Sequence, residues 1–324
     1  MKKQLFFVVN PKAGQRRKES FPDFVQARLN HQAFTFDIAF TQGQGHATAL
    51  AQQAVKDGAD MVVAVGGDGT INEVARSLIG TTTSLGIVPS GSGNGLARHL
   101  NIPLSFKGAI EAINEGNIVE IDTVKLNDQV FVSIAGVGYD ALIAEQFAKD
   151  KHRGFFTYFK LVASLFPGYE PQDYTLTIDE RPMITTKALF ISLANSNQFG
   201  YNTIIAPNAQ LNDGMIDVCI VQKPTIFELP IIINLLFLNK IHHSRQVKIF
   251  QANKLSLGRT TNPVVNLDGE PVQMDLMLQA EVNPLSLKVA IPTKTRVFDP
   301  AELVLSRFIN AQKKIQHELK KLIR

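Results

Sequence analysis

The sequence contains one cysteine, Cys219, and no tryptophan. A lone cysteine excludes an internal disulfide and any zinc site built on several thiolates, and it favours a reducing compartment. Without tryptophan, the aromatic packing falls to 21 phenylalanines among 324 residues. Charge is scarce as well, at 19%, while 45% of residues are apolar, which excludes global disorder. No apolar run is long enough to span a bilayer. The most apolar later stretch, 226–238, carries Glu228, Pro230 and Asn234 and reads as a buried helix. The opening run of five apolar residues ends at Asn10-Pro11, so it reads as a first strand and not as a signal peptide. The seven histidines lack metal-ligand spacing, and no G-x-x-x-x-G-K-[ST] phosphate loop is present.

Excess charge of one sign is missing from most of the chain. The net charge is +4, so no nucleic acid or other strongly polyanionic partner is demanded. Residues 301–324 hold six basic residues, Arg307, Lys313, Lys314, Lys320, Lys321 and Arg324, against Glu302 and Glu318. The excess therefore sits in this tail, which reads as a helix with a short heptad seam at Phe308, Gln312, Ile315, Leu319 and Leu322. Docking on the body, a homodimer, or contact with anionic lipid all suit such a seam.

What is present is a repeated pattern. Strand signals at 5–10, 34–40, 61–65 and 85–89 are each followed by a glycine-bearing turn and a helical stretch. That alternation predicts an open α/β sheet. After about Glu120 the texture becomes short strands separated by turns, with helices chiefly near 140–166 and 225–242, which predicts a mostly antiparallel second domain. A length of 324 residues suits two domains.

The most informative segment is Gly66-Gly67-Asp68-Gly69-Thr70-Ile71-Asn72-Glu73, set between an apolar strand and an amphipathic helix. Its glycines let backbone approach a ligand closely, and the helix N-terminus behind them suits phosphate. Asp68 is the odd member, because a carboxylate in an anion-binding loop repels phosphate unless a divalent cation lies between them. A second loop, Pro89-Ser90-Gly91-Ser92-Gly93-Asn94-Gly95, again joins strand to helix. Two such loops at the carboxyl ends of two strands can wall one nucleotide crevice. The first turn, Asn10-Pro11-Lys12-Ala13-Gly14, lacks the G-x-G-x-x-G count of a dinucleotide site.

In this order, Asn10–Gly14, Gly66–Glu73 and Pro89–Ala97 resemble the catalytic domain of the diacylglycerol kinase / sphingosine kinase superfamily, and its soluble bacterial lipid kinases above all. Asp122, the segment 207–218 and Asn266–Glu270 extend the resemblance over about residues 5–295. It implies an NAD-kinase-like α/β nucleotide-binding domain, a mostly antiparallel β-rich second domain, and an active site in the cleft between them. The boundaries read as 1–121, 122–292, and a 293–324 segment that returns toward the first domain and ends in the basic helix.

The resemblance also implies roles. ATP would meet Asn10, Pro11, Lys12, Ala13 and Gly14, then Thr41, then Gly66, Gly67, Asp68, Gly69, Thr70 and Asn72. Ser92, Gly93 and Asn94 would lie near its phosphates. Glu270 would be the catalytic base, with Asp68 organising Mg²⁺. A structural Mg²⁺ would be held by Gln210, Asp213 and Met215, although a plain Asp-Gly turn explains that segment equally well. The implied activity is ATP-dependent phosphoryl transfer to a lipid hydroxyl, by a cytoplasmic protein meeting its substrate on the inner face of the membrane.

Gly91-Ser92-Gly93-Asn94-Gly95 replaces the G-T-x-N-D of many bacterial diacylglycerol kinases and looks more like sphingosine and ceramide kinases. The acceptor thus stays open. NAD-type or other small-molecule kinases share GGDGT, and a non-catalytic nucleotide- or lipid-binding regulator is the rival from another class. The stretch 149–169 mixes cations with aromatics and reads chiefly as a core helix face, with an acyl groove or bilayer contact as the alternative. Arg16, Arg17 and Lys18 read chiefly as a solvated charge run, with phosphate contact as the alternative.

Overall fold

The structure is a computed structural model, and it describes residues 2–14, 18–150 and 154–293. Strands β1 (Lys3–Val9), β2 (Phe34–Phe40), β3 (Met61–Gly66) and β4 (Ser84–Pro89) pair in parallel, in the order β2-β1-β3-β4. Every residue of β3 and β4 is buried, as unbroken apolar runs require in a sheet covered on both faces. Between and after the strands come α1 (Phe21–Gln26), α2 (His46–Lys56), α3 (Asp68–Leu78), α4 (Gly95–His99) and α5 (Phe106–Glu115). The apolar face of α3 follows the 3.6 period, burying Ile71, Val74, Ala75 and Leu78. Truncating Leu78 to alanine would cost about 2–5 kcal/mol. Because the chain leaves β1 for β2 on one side and reaches β3 on the other, a crevice opens at the strands' carboxyl ends.

The second lobe contains β5 (Ile118–Leu126), β6 (Gln129–Phe131), β7 (Ile134–Gly138), α6 (Tyr139–Lys149), α7 (Phe155–Leu165), β8 (Gln172–Ile178), β9 (Ile184–Ala188) and β10 (Phe190–Ala194). It continues with β11 (Ile216–Val221), α8 (Leu229–Phe237), β12 (Val247–Ala252), β13 (Lys254–Arg259), β14 (Val264–Leu267), β15 (Glu270–Gln273) and β16 (Met277–Ala290). One antiparallel sheet runs β12-β11-β10-β7-β14-β15. The remaining strands extend the first sheet as β4-β16-β13-β8-β9, with β5 and β6 alongside. A shared core joins Val137, Ile191 and Val265 of one sheet to Leu126, Tyr174 and Leu257 of the other.

The joint between the lobes is β16. Its first half pairs with β13, and Leu287–Ala290 pair with β5 and, at Val289, with β4. The register shifts between Asn283 and Leu287, where Leu285 takes a positive φ of 46°. Asp122 sits opposite this bulge, wholly buried, and accepts from Leu285 N and Gly214 N, both at 2.7 Å. It is a structural knot. The return to the first sheet therefore begins ahead of residue 293, and the expected basic helix lies outside the described residues.

The stretch expected to be a buried helix is a partial exception. Helix α8 buries only Ile232, against a cluster including Ile205, Cys219 and Ile241, while Phe227 just before it is 87% exposed. A helix apolar on all sides looks the same in sequence whether one side is covered or all of them. The aromatic stretch divides as well. Tyr158, Leu161 and Val162 of α7 pack toward Tyr139 and Phe166, whereas Phe156 and Phe159 are exposed. No helix among the described residues is long and apolar enough to cross a membrane.

Candidate active site

Three glycine-bearing loops meet at the carboxyl ends of β1, β3 and β4. The ladder continues into them, with Asn10 N donating to Val65 O at 2.9 Å and Ser90 N to Gly66 O at 2.7 Å. Asn10 Nδ2 donates to Thr70 Oγ1 at 3.0 Å, tying the first loop to the first turn of α3. Gly14 has φ +67°, and a Cβ there would lie 1.9 Å from the Ser90 carbonyl oxygen. A Cβ on Gly91 would lie 2.5 Å from Gly67 Cα. Backbone meets backbone, so neither contact can relax by a side-chain rotation. Gly14→Ala is therefore expected to raise the nucleotide Kd at least about tenfold, since overpacking of this kind costs roughly 1–3 kcal/mol. Titration calorimetry checks it.

Asp68 has a task its sequence position did not announce. Its two oxygens accept from Asn94 N at 2.8 Å and Gly95 N at 2.7 Å, clamping the second loop to the start of α3. Asn94 stands at φ +53°, and its own Nδ2 donates to Gly91 O at 2.9 Å. Burial raises the Asp68 carboxyl above its ordinary value, against the pull of those two N–H groups. Lys18 is a second surprise. It is buried, not solvated, with Nζ donating to the Ala13 carbonyl beneath the first loop, and burial lowers its pKa. Arg16 and Arg17 lie outside the described residues.

The opposite wall is the Asp268-Gly269-Glu270 turn between β14 and β15. Its two acids have different environments. Asp268 is buried and accepts from Val132 N, Ser133 N and Ile134 N at 2.9, 2.8 and 3.1 Å, with Arg76 Nη2 at 3.5 Å. Its carbonyl accepts from Asn72 Nδ2 at 3.0 Å, so α3 and the turn are tied across 196 residues of sequence. Burial pushes its carboxyl up, opposed first by Arg76 and then by the three N–H groups. Asp268→Asn would set an amide against those donors. We expect a loss of about 3 kcal/mol, read by denaturant titration.

Glu270 is half-buried, and its carboxylate takes no hydrogen bond among the described residues. A Cβ added at Gly69 would lie 3.4 Å from its Oε1, so this acid stands directly over the glycine loop. Burial raises its pKa, Arg76 lowers it, and Glu73 and Asp268 raise it again. Glu73 is itself occupied, accepting from Gly45 N and Ala47 N at the start of α2.

The loops and this turn line one cleft of about 1750 Å³. Asn10, Lys12, Ala13, Gly14, Gly67, Asp68, Gly69, Thr70, Asn72, Ser92, Gly93, Asn94 and Glu270 all border it. Pro11, Thr41 and Gly66 do not: Thr41 is buried at the end of β2 with its N–H on Val9 O, and Gly66 packs beneath Thr70. Away from the loops the cleft becomes apolar, with Ile143, Phe166, Leu189, Ile232 and Leu236 on its walls.

The residues expected to hold a structural Mg²⁺, Gln210, Asp213 and Met215, lie apart from the cleft lining. They form the turn into β11, where Asp213 Oδ1 accepts from Met215 N at 3.0 Å. Buried Asp217 nearby is pushed up to about 6 by burial and then by the Asp213 charge. An oxygen donor set with two mutually repelling carboxylates fits a hard cation in kind. No three His, Cys, Asp or Glu among the described residues cluster into a metal site, so the carbonyls of Gln210 and Met215 would have to complete this one.

Comparison with known proteins gives a consistent picture. Residues 4–126 match the family model of the diacylglycerol kinase catalytic domain, and 133–291 match the YegS C-terminal NAD kinase beta sandwich-like domain. A diacylglycerol kinase of Staphylococcus saprophyticus is 29% identical over 277 residues, 83% of this chain and 90% of its own. One from Staphylococcus aureus is 28% identical and covers 83% and 87%. A crystal structure of a diacylglycerol kinase from Bacillus anthracis aligns with TM-score 0.68 at 19% identity, over 91% of this chain and 98% of that one. An NAD kinase from Archaeoglobus fulgidus in complex with ATP aligns with TM-score 0.53 at 12% identity, over 90% and 95%. The two structural likenesses concern fold alone, and they bear out the NAD-kinase-like α/β lobe joined to an antiparallel one.

Proposed function

The chain belongs to the diacylglycerol kinase / sphingosine kinase superfamily, and from that premise we propose that it transfers the γ-phosphoryl group of ATP to a lipid hydroxyl. The observation that carries the reading is the position of Glu270. It stands over Gly69 and borders the cleft that the glycine loops share with apolar side chains. Phosphoryl transfer from ATP needs its phosphates held in line with an oxygen whose proton has somewhere to go. Backbone N–H groups at the start of α3 face the first requirement, and Glu270, with its raised pKa, suits the second. Residues 1–121 would then carry the nucleotide and 122–292 the acceptor.

Mg²⁺, when bound, would neutralise phosphate charge. Asp68 would help hold it with the lone pairs that Asn94 N and Gly95 N leave free, while its clamp keeps the second loop in place. Asn10 and Thr70 fix the first loop against α3. The apolar walls favour an acyl chain over the polar ribose of a dinucleotide acceptor. ADP release measured with alternative acceptors tests the choice. The reading expects stimulation by lipid in mixed micelles and none by NAD⁺; stimulation by NAD⁺ alone contradicts it.

A further inference from the structure

The second glycine loop is held from the second lobe as well as from α3. After β10 the chain turns through Gly200, Tyr201 and Asn202, which stand at φ 119°, 52° and 61°. A tyrosine at positive φ is uncommon, and such backbone persists where its surroundings over-determine it. Here the surroundings are the loop between β4 and α4. Tyr201 N donates to Gly93 O at 3.4 Å, and a Cβ on Gly200 would lie 3.1 Å from Gly93 Cα. Arg98 Nε donates to the same carbonyl at 2.9 Å, and its Nη1 to Asn202 Oδ1 at 2.8 Å. The outermost tie joins two hydroxyls: Tyr201 OH donates to Ser92 Oγ at 2.7 Å. Both residues border the cleft.

Resting on the nucleotide half of the lipid-kinase reading, we propose that Tyr201 is a positioning residue, which fixes Ser92 so that the serine donates its own O–H to a phosphate oxygen of ATP. A phenol has one hydrogen to give. Burial raises the Tyr201 pKa, Ser92 lowers it, the Asp68 charge raises it and Arg98 lowers it again. The net shift is upward from 10.0, so the group stays protonated at neutral pH. Its hydrogen lies on Ser92 Oγ, which makes no other hydrogen bond among the described residues. A hydroxyl whose oxygen already accepts keeps its own hydrogen to donate. An exposed serine left alone turns among staggered rotamers, and the phenol selects one of them. A donor fixed beforehand loses less freedom when an anionic oxygen arrives. The tie also crosses the lobes, so the acceptor lobe takes part in holding the nucleotide.

The test is a double-mutant cycle on ATP affinity, read by titration calorimetry on the full chain. S92A should raise the ATP Kd about 10- to 100-fold, since it removes a hydrogen bond to a charged group. Y201F loses one oxygen and keeps the ring beside Gly93. It should raise the Kd about 3- to 10-fold. In the S92A background, Y201F should change the Kd by no more than about twofold, because no serine hydroxyl remains to be positioned. Adenosine, which lacks the phosphates, should bind the wild type and every variant within about twofold. A merely structural role would carry the Y201F penalty into the S92A background and weaken adenosine along with ATP. Either result overturns the assignment, as does a Y201F Kd equal to that of the wild type. The kinase reading is judged apart, by ADP release with lipid. Coupling without any lipid phosphorylation supports Tyr201 and overturns the acceptor; additive penalties with lipid phosphorylation overturn Tyr201 alone. A wild type that binds no ATP overturns both.

Discussion

Replacing Glu270 by glutamine is expected to lower lipid-kinase kcat by roughly 10²–10⁴-fold while ATP affinity stays within about twofold. Glutamine keeps the size and polarity of the side chain and removes its basicity. The side chain stands over Gly69 without a hydrogen-bond partner among the described residues, so its loss undoes no structural tie. The pH profile provides an independent reading. A base works deprotonated, and burial lifts Glu270 above the ordinary value of 4.5. The rate should therefore fall as pH drops through a midpoint above 4.5, and this acid limb should vanish in the variant. A variant that keeps its kcat, or loses ATP binding in step with activity, means that the proton goes elsewhere.

Asp68→Ala should differ in kind. It removes two charge-assisted hydrogen bonds, those from Asn94 N and Gly95 N. At about 1.5–3 kcal/mol each, their loss corresponds to roughly 10²–10⁴ in kcat/KM. ATP affinity and kcat should fall together, because the second glycine loop loses its anchor while α3 loses the carboxylate proposed to help hold Mg²⁺. From sequence, Asp68 reads as a turn residue whose removal leaves the fold intact. The structure restricts that statement to the cores: the loop around residues 90–95 should loosen. Amide hydrogen exchange at Asn94 and Gly95 should accelerate by the same factor as the lost bonds, with β3 and β4 still protected. Unchanged protection at both amides would remove the clamp from the account.

These two variants also mark how far the sequence reaches. Strand, glycine loop and helix recur with local punctuation, so β2 and β3 lie within a residue or two of their predicted limits. The glycine loops were legible because close backbone approach needs glycine at those places, whereas Glu270 entered through the family resemblance and not through its own residue pattern. What was not legible rests on partners far away in the chain. Asp268 stands two residues from Glu270, and only the structure shows its carboxylate holding three N–H groups some 135 residues upstream. Asn72 borders the cleft as expected of the motif, but only the structure shows that its amide also ties α3 to the Asp268 carbonyl. The exposure of α8 was hidden for the converse reason, since apolar composition states what a residue would bury and not whether a neighbour arrives.

The identity of the phosphorylated product tests the central claim most directly. Wild-type protein is incubated with ATP, Mg²⁺ and mixed micelles of long-chain alcohols, diols and amino alcohols, in the presence of NAD⁺, and followed by ³¹P NMR. The account predicts a new phosphomonoester resonance that partitions into the organic phase, in one-to-one stoichiometry with ADP, and that is absent with Glu270→Gln over the same interval. A 2′-phosphate resonance of NADP⁺ in the aqueous phase, or ADP matched only by inorganic phosphate, would contradict it.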